Sequence, residues 1–458
     1  MRLITLIPFS DNMDTPKIAR CTSSIGKVTL ARNLLAPLIF FWSFTALAGD
    51  VEVLHFWTSP GEQRALQVLK EKIAERGHTW KDFTVVGGGG ENAMTALAKR
   101  VRDGNPPAAA SIKSPVVRSY AATGNLTNLD AMAAFDKWDE VLPPTIRDQV
   151  RSNDHYVSVP VNIHRSNWLW SNLEILRLAG VAAPPSTIPE LFTALDKVKT
   201  AGFDGLAIGG QAWQEFQLFE NLLLAYGGQE IYSRALIDRE PAALNSKEFR
   251  TTLNAFRKLK SYTDADSSGR AWNETTKRLI DRKAAFQYMG DWVKGEFSAA
   301  NQLPNKDYAC TPAPGTQDYF VYVVDSFAMF QLRSWEAQKA QGYLAYQIMR
   351  PEFQTEFSVI KGSIPAIRYF NTARFDACAK ASHADFLSAE SNKKLVGSVA
   401  VDQVVSAEAL SAMRDTIHAY WANDTTTAES TIGKFISINR PRAEKALPKP
   451  SKPVTPSR

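Results

Sequence analysis

From residue 51 onward the spacing of apolar and polar positions switches repeatedly between two periods. Val51–Trp57 has the dense apolar content of a buried strand, and Glu62–Arg76 then puts Leu66, Leu69 and Ile73 on one face of a helix. Phe83–Val86 reads as a second strand, stopped by Gly87–Gly90 before an amphipathic helix over Asn92–Arg102. Ala108–Ile112 is a third strand ending at Lys113, and Tyr156–Val161 a fourth that leads into His164–Trp170. The spacing predicts helices over Ile188–Thr200, Trp213–Tyr226 and Ser246–Lys260, the last with Phe249, Leu253, Phe256 and Leu259 as its stripe. Ala284–Met289 is strand-like and runs into Gly290-Asp291-Trp292. Asp318–Leu332 is a long β-rich run, and Glu336–Met349 is helical again. The alternation makes the chain α/β throughout, with no internal repeat and no low-complexity linker within the body.

Ahead of this pattern stands a different one. Lys27 and Arg32 precede an apolar run, Leu34–Ala46, that closes on Ala46-Leu47-Ala48. A basic region, a short apolar stretch and small residues at alternate positions are the marks of an export signal, so residues 1–48 are expected to be a signal peptide cleaved after Ala48. Pro37 interrupts the run, which is too short for a comfortable membrane span; an uncleaved anchor is the alternative. At 458 residues, 45% of them apolar, the chain has material for more than one core, so two lobes are expected. Val159–His164 and Pro312–Gly315 are the candidate crossings between them.

The formal charge of +6 belongs to the ends. Five of the 53 Lys and Arg residues and two of the 47 acids lie in 1–48, and six and one lie in the Pro- and Lys-rich tail 439–458. The body keeps 42 basic and 44 acidic residues, which removes the electrostatic footing for nucleic-acid binding. The tail has the composition of a disordered segment. With Cys21 lost in the signal, Cys310 and Cys378 remain; in an oxidising compartment they form one bridge, or else two buried thiols.

The chemistry-bearing positions cluster at strand ends, where open α/β sheets hold ligands. Trp57 and Trp292 each follow a strand and precede a helix, so two indoles from opposite lobes could face one sugar ring; core packing is the competing role for each. Asp325 interrupts the apolar run Tyr319–Phe330, where a buried carboxylate needs a partner: a ligand hydroxyl, or else backbone N–H groups or a cation. Glu62 stands at capping-box spacing from Ser59 with Pro60 between, and is either a helix cap or a ligand contact. Lys113 and Lys361 are candidate donors to hydroxyls. The histidines and cysteines show no zinc spacing, Gly87–Gly90 lacks the Lys of a phosphate loop, and no nucleophile elbow is present. No cofactor or metal is expected.

Taken in order, Val53–Ser59, Gly87–Ala93, Gly104–Pro107, Pro160–Arg165, Gly290–Phe297, Cys310–Gly315, Val324–Phe330 and Lys361–Pro365 give a resemblance over nearly all of 50–435. The chain resembles the extracellular solute-binding proteins of bacterial ABC sugar importers, and most closely their periplasmic glucose-binding branch. That resemblance implies a two-lobed, hinge-closing periplasmic binding protein fold of type II with the ligand in the interlobe cleft. It implies lobes formed by 49–160 with 313–361 and by 161–312 with 362–438. It implies sugar contacts at Phe56, Trp57, Glu62, Lys113, Trp292, Asp325 and Lys361, and a bridge between Cys310 and Cys378. It also implies a periplasmic monomer that captures a monosaccharide, glucose or a related hexose, and delivers it without turnover to a membrane permease with a cytoplasmic ATPase. An exported carbohydrate-active enzyme, or a sensor feeding a chemoreceptor or kinase, is the alternative. Two positions depart from the family: Phe56 stands where it typically has Trp, and Val401, followed by Asp402, where it has a late His.

Overall fold

The computed structural model describes residues 49–86 and 90–438; the expected signal, the tail and Gly87–Gly89 lie outside the described residues. The chain opens with β1 (Asp50–His55), α1 (Pro60–Ala74), β2 (Thr79–Thr84), α2 (Glu91–Arg102), β3 (Ala109–Ser111) and α3 (Ser114–Ala122). Short helices and a two-residue strand pair lead to β4 (Ser158–Arg165) and β5 (Trp168–Asn172). Then come α4 (Ile188–Thr200), β6 (Asp204–Leu206), α5 (Ala212–Tyr232), α6 (Lys247–Leu259), α7 (Trp272–Ile280), β7 (Ala284–Tyr288), α8 (Val293–Ala299) and β8 (Tyr308–Pro312). The remainder is β9 (Phe320–Met329), α9 (Trp335–Ile348), α10 (Pro351–Lys361), β10 (Ile364–Pro365), α11 (Ala377–Ser391), β11 (Leu395–Gly397), α12 (Ala407–Ala422) and α13 (Ala428–Ile438).

Local chemistry explains the helix starts. Ser59 with Glu62 and Thr187 with Glu190 form full capping boxes, each with Pro inside the first turn, so α1 and α4 begin where the spacing predicts. The helix predicted to end at Tyr226 breaks close to that point: Gly228, with a φ of 63° and a ψ of −175°, leaves helical geometry, and a second short helical segment follows to Tyr232. The strand predicted over Phe83–Val86 starts four residues earlier, at Thr79, and ends at Thr84. It is an outer strand with only Trp80 and Phe83 half-buried, and its register is set by parallel pairing to β1, Asp50 opposite Thr79.

Two sheets make two lobes. The seven-stranded sheet runs β10-β4-β9-β3-β1-β2, with β11 beside β9; the four-stranded sheet runs β8-β5-β7-β6. Every residue of β4 and β9 is buried. The chain passes between the sheets at Ser166-Asn167 and again between Pro312 and Phe320. Asn167 ties these passages together: its amide donates to Thr316 Oγ1 (3.0 Å) and Tyr319 O (3.0 Å), and its Oδ1 accepts from Val321 N (3.0 Å). The first crossing therefore lies just beyond the expected Val159–His164, which is strand. Ile364–Pro365 and Leu395–Gly397 fall within the range expected for the second lobe, yet both pair in the seven-stranded sheet. No helix among the described residues is long and apolar enough to cross a membrane.

Cys310 of β8 and Cys378 of α11 are bonded, across 68 residues of sequence. β8 belongs to the smaller sheet, while α11 packs against strands of the larger one. The bridge therefore fastens the lobes on a second route besides the crossings. Closing a loop of this length restrains the unfolded chain by about 4 kcal/mol in the chain-entropy account. Urea unfolding of the Cys310→Ser, Cys378→Ser double variant is expected to show a loss of that order. A loss below about 1 kcal/mol would show that the bridge does not restrain the unfolded chain in this way.

Candidate functional site

The seven expected contacts Phe56, Trp57, Glu62, Lys113, Trp292, Asp325 and Lys361 line one cavity of about 160 Å³ between the sheets. Each arrives on a different device. β1 ends at His55 and hands Phe56 and Trp57 to the cleft before the Ser59 cap opens α1. Glu62 fills its expected role as a helix cap and also pairs with Lys361. Its Oε2 accepts from Thr58 N (3.0 Å) and Ser59 N (3.1 Å), while Oε1 accepts from Lys361 Nζ (3.0 Å). Lys361 is the last residue of α10 and is aimed by the turn after it, where Gly362 has a φ of 97°. A side chain there would also strike Asp291 O at 2.3 Å, so position 362 requires glycine on both counts.

Asp325 sits on β9 where its register against β4 slips between Asp325 and Ser326, a bulge that re-aims a side chain out of a buried strand. It is held by cations, as one of the two expectations required. Lys113, at the start of α3, ion-pairs with Oδ1, and His164 Nε2 lies 3.1 Å from Oδ2. Burial works to raise the Asp325 pKa. Lys113, then His164 and Lys361, overcome that and hold the carboxyl far below the usual range. It is a permanently ionised acceptor.

His164 is the functional residue that the spacing did not reveal. Its Nδ1 ion-pairs with Asp291, whose Oδ2 accepts from Arg165 N (2.9 Å). Burial would lower the His164 pKa, but Asp291 and Asp325 on its two sides raise it. The ring also meets Trp292 edge-on, centroids 5.3 Å apart at 85°. His164 thus fixes the acid on one side and the indole on the other. A signal was present: Asn162, His164 and Arg165 are polar residues inside a wholly buried strand, the same anomaly that singled out Asp325.

The aromatic positions divide unequally. Trp57 is 1% exposed and spends most of its surface on Phe327 and Phe357, at 5.5 and 5.6 Å. Half-buried Phe56, packed on the Gly90 backbone, presents more ring to the cleft. Trp292 folds back over Gly290, where an added Cβ would meet its ring at 2.2 Å, and Trp213 lies 6.5 Å beyond. Trp213 lines the cavity too, as do Val401, Asp402 and Arg414.

The Asp291–His164–Asp325 chain has a pH signature. Asp325, with its pKa lowered on folding, contributes stability above an unfolded value of about 4, lost as pH falls below it. His164, with its pKa raised, contributes stability fully present below about 6.5 and lost as pH rises through its folded value. His55 and His383, both lowered by burial, act with the opposite sign and below about 6.5. The melting temperature of the ligand-free protein is therefore expected to fall above about pH 6.5, with a shallower fall in His164→Asn. Equal slopes for the two proteins would remove His164 from this role.

With this geometry in hand, comparison with known proteins is direct. The family model for bacterial extracellular solute-binding proteins matches residues 58–330, more than half of the chain. A "Probable sugar-binding periplasmic protein" of Rhizobium meliloti is 39% identical over 388 residues, covering 85% of this chain and 93% of that protein. The "Glucose-binding protein GlcS" of Saccharolobus solfataricus is a more distant match, 23% identical over 304 residues, 60% of this chain and 54% of its own. Among solved structures, a "Chitin oligosaccharide binding protein" superposes with a TM-score of 0.73 at 17% identity, covering 85% of this chain and 98% of that one, a likeness of fold. By this sequence and structural kinship, the chain belongs to the bacterial extracellular solute-binding proteins.

Proposed function

We propose that the protein is the periplasmic sugar-binding component of an ABC importer, capturing one sugar ring in the cleft and presenting it, as a monomer, to a membrane permease with its ATPase. The observation that carries this reading is the pairing of Lys113 with Asp325 and of Lys361 with Glu62 beside Phe56 and Trp292. Ionised carboxylates and ammonium groups offer charge-assisted bonds to hydroxyls, which donate and accept around a ring. The aromatic surfaces suit the C–H face of that ring. The name of the Rhizobium meliloti relative, a sugar-binding periplasmic protein, supports the same ligand class and compartment. The GlcS match supports a hexose at a greater distance.

The polar pairs and the aromatic surfaces line one cavity, so a single bound ring can meet both. Closure follows from geometry. Asp325 and Lys113 stand on the seven-stranded sheet and Trp292 follows β7 of the smaller one, so a ligand touching both favours the closed form.

Hydrolysis finds no support. Asp325 is held ionised and Glu62 accepts from a lysine and two backbone amides, so neither is poised as the proton donor that glycoside hydrolysis needs. The matching family and the Rhizobium meliloti relative are named for solute and sugar binding.

A thermal-shift screen of hexoses, pentoses and disaccharides tests the reading. A ligand at a hundredfold excess over its Kd contributes about 2.7 kcal/mol to the wild type. Trp292→Ala and Asp325→Asn are each expected to abolish that shift while keeping a cooperative melt. If both variants respond to sugar as the wild type does, the site is elsewhere.

A further inference from the structure

Seven charged or titratable side chains line the cleft, and six have a partner of opposite sign within hydrogen-bond reach. Lys113 meets Asp325, Lys361 meets Glu62, His164 meets Asp291 and Asp325, and Arg414 meets Glu91 at 2.5 Å. Asp402 is the exception. Its nearest cation is Arg414 at 4.0 Å, and that guanidinium is already committed, through Nη1 to Glu91 and through Nη2 to the Ala400 carbonyl at 2.6 Å. The Asp402 side chain keeps 24% of its surface open and lines the cavity.

Charge balance gives the same answer. Counting the lining groups with their direct partners, Lys113, His164, Lys361 and Arg414 stand against Glu62, Glu91, Asp291, Asp325 and Asp402. Even with His164 protonated, the cleft is one positive charge short. When such a cleft closes, an uncompensated carboxylate loses water and costs free energy unless the ligand replaces it. A neutral sugar brings hydroxyl donors but leaves the charge. An ammonium group brings three donors and the missing charge together.

We propose that the ligand is an amino sugar whose ammonium group seats against Asp402. The inference rests on the sugar-binding reading and narrows it. Burial holds the Asp402 carboxyl above its usual pKa, against the pull of Arg414 and Lys113, and an arriving cation relieves that cost. Val401 and Asp402 together offer the cavity an apolar wall and an acceptor.

The test is titration calorimetry at about pH 6.5, where an amine stays protonated, with glucose, galactose, glucosamine, galactosamine and N-acetylglucosamine. At least one amino hexose is expected to bind about tenfold or more tightly than its neutral parent, as a charge-assisted bond in a closed site requires. N-acetylation, which removes the charge and keeps the nitrogen in place, is expected to abolish that advantage. In Asp402→Asn, checked for folding by its ligand-free melt, the ratio of amine to parent affinity is expected to fall to one or below. A wild type that binds the parent hexose as tightly as its amine overturns the inference and leaves the sugar reading standing. A variant that keeps the wild-type ratio overturns the assignment to Asp402. If none of the five sugars binds, this inference fails; the sugar reading fails with it only when the screen of hexoses, pentoses and disaccharides is empty as well.

Discussion

Four side chains in a row carry charge from one lobe to the other: Lys113, Asp325, His164 and Asp291. All are buried, and none can stand there alone. Removing one partner of a buried ion pair leaves the other uncompensated, at about 3–5 kcal/mol. The row is therefore a constraint on the fold before it is a feature of the site. Lys113 requires β3 to end beside β9, Asp325 requires the bulge that turns it out of a buried strand, and Asp291 requires the turn after β7 to reach back to β4. Once those demands are met, the cleft contains an ionised acceptor whose lone pairs are only partly used, with Trp292 held at a fixed angle beside it. The arrangement is rigid before any ligand arrives, so less ordering remains to be done on binding.

The lobes also meet around the cleft, and those contacts are of another kind. Gly61 N donates to Glu296 Oε1 at 2.9 Å and Arg64 Nη2 to Gly295 O at 2.8 Å, joining α1 to α8. Arg414 of α12 reaches Glu91 of α2. These are polar contacts, buried at Gly61–Glu296 and part-buried at the two arginines, in contrast with the apolar clusters that hold each lobe together. A ligand that touches both sides favours the closed form by its differential affinity for it. The permanent fastening lies elsewhere, in the Asn167 network and the Cys310–Cys378 bridge.

What the amino-acid order revealed and what it hid follow from how far each interaction reaches. The start of α4 was legible because Thr187, Pro189 and Glu190 act within one turn. Asp325 was legible because a charge in a ten-residue buried strand is anomalous by itself. Its partners were not, because His164 lies 161 residues away and Asp291 a further 127 from His164, and nothing local marks a pairing that only tertiary contact creates. β2 was misplaced because an outer strand has little buried surface to impose a two-residue alternation, so pairing with β1 decided its position. Trp57 and Trp292 look alike in the chain, since each follows a strand. Only packing separates an indole spent on Phe327 and Phe357 from one that stands at the crossing.

The two departures from the sugar-binding pattern, Phe56 and Val401-Asp402, lie 345 residues apart in the chain but on one wall of the cleft. Phe56 packs on the backbone of Gly90; the next residue, Glu91, binds Arg414; Arg414 holds the carbonyl of Ala400, which precedes Val401. Positions 56 and 401 are therefore physically connected, through two backbone neighbours and one guanidinium. The opposite wall carries the Lys113–Asp325 and Lys361–Glu62 pairs. Because the wall that holds Asp402 also carries the Arg414–Glu91 contact between lobes, a group seated there acts directly on a contact that joins them.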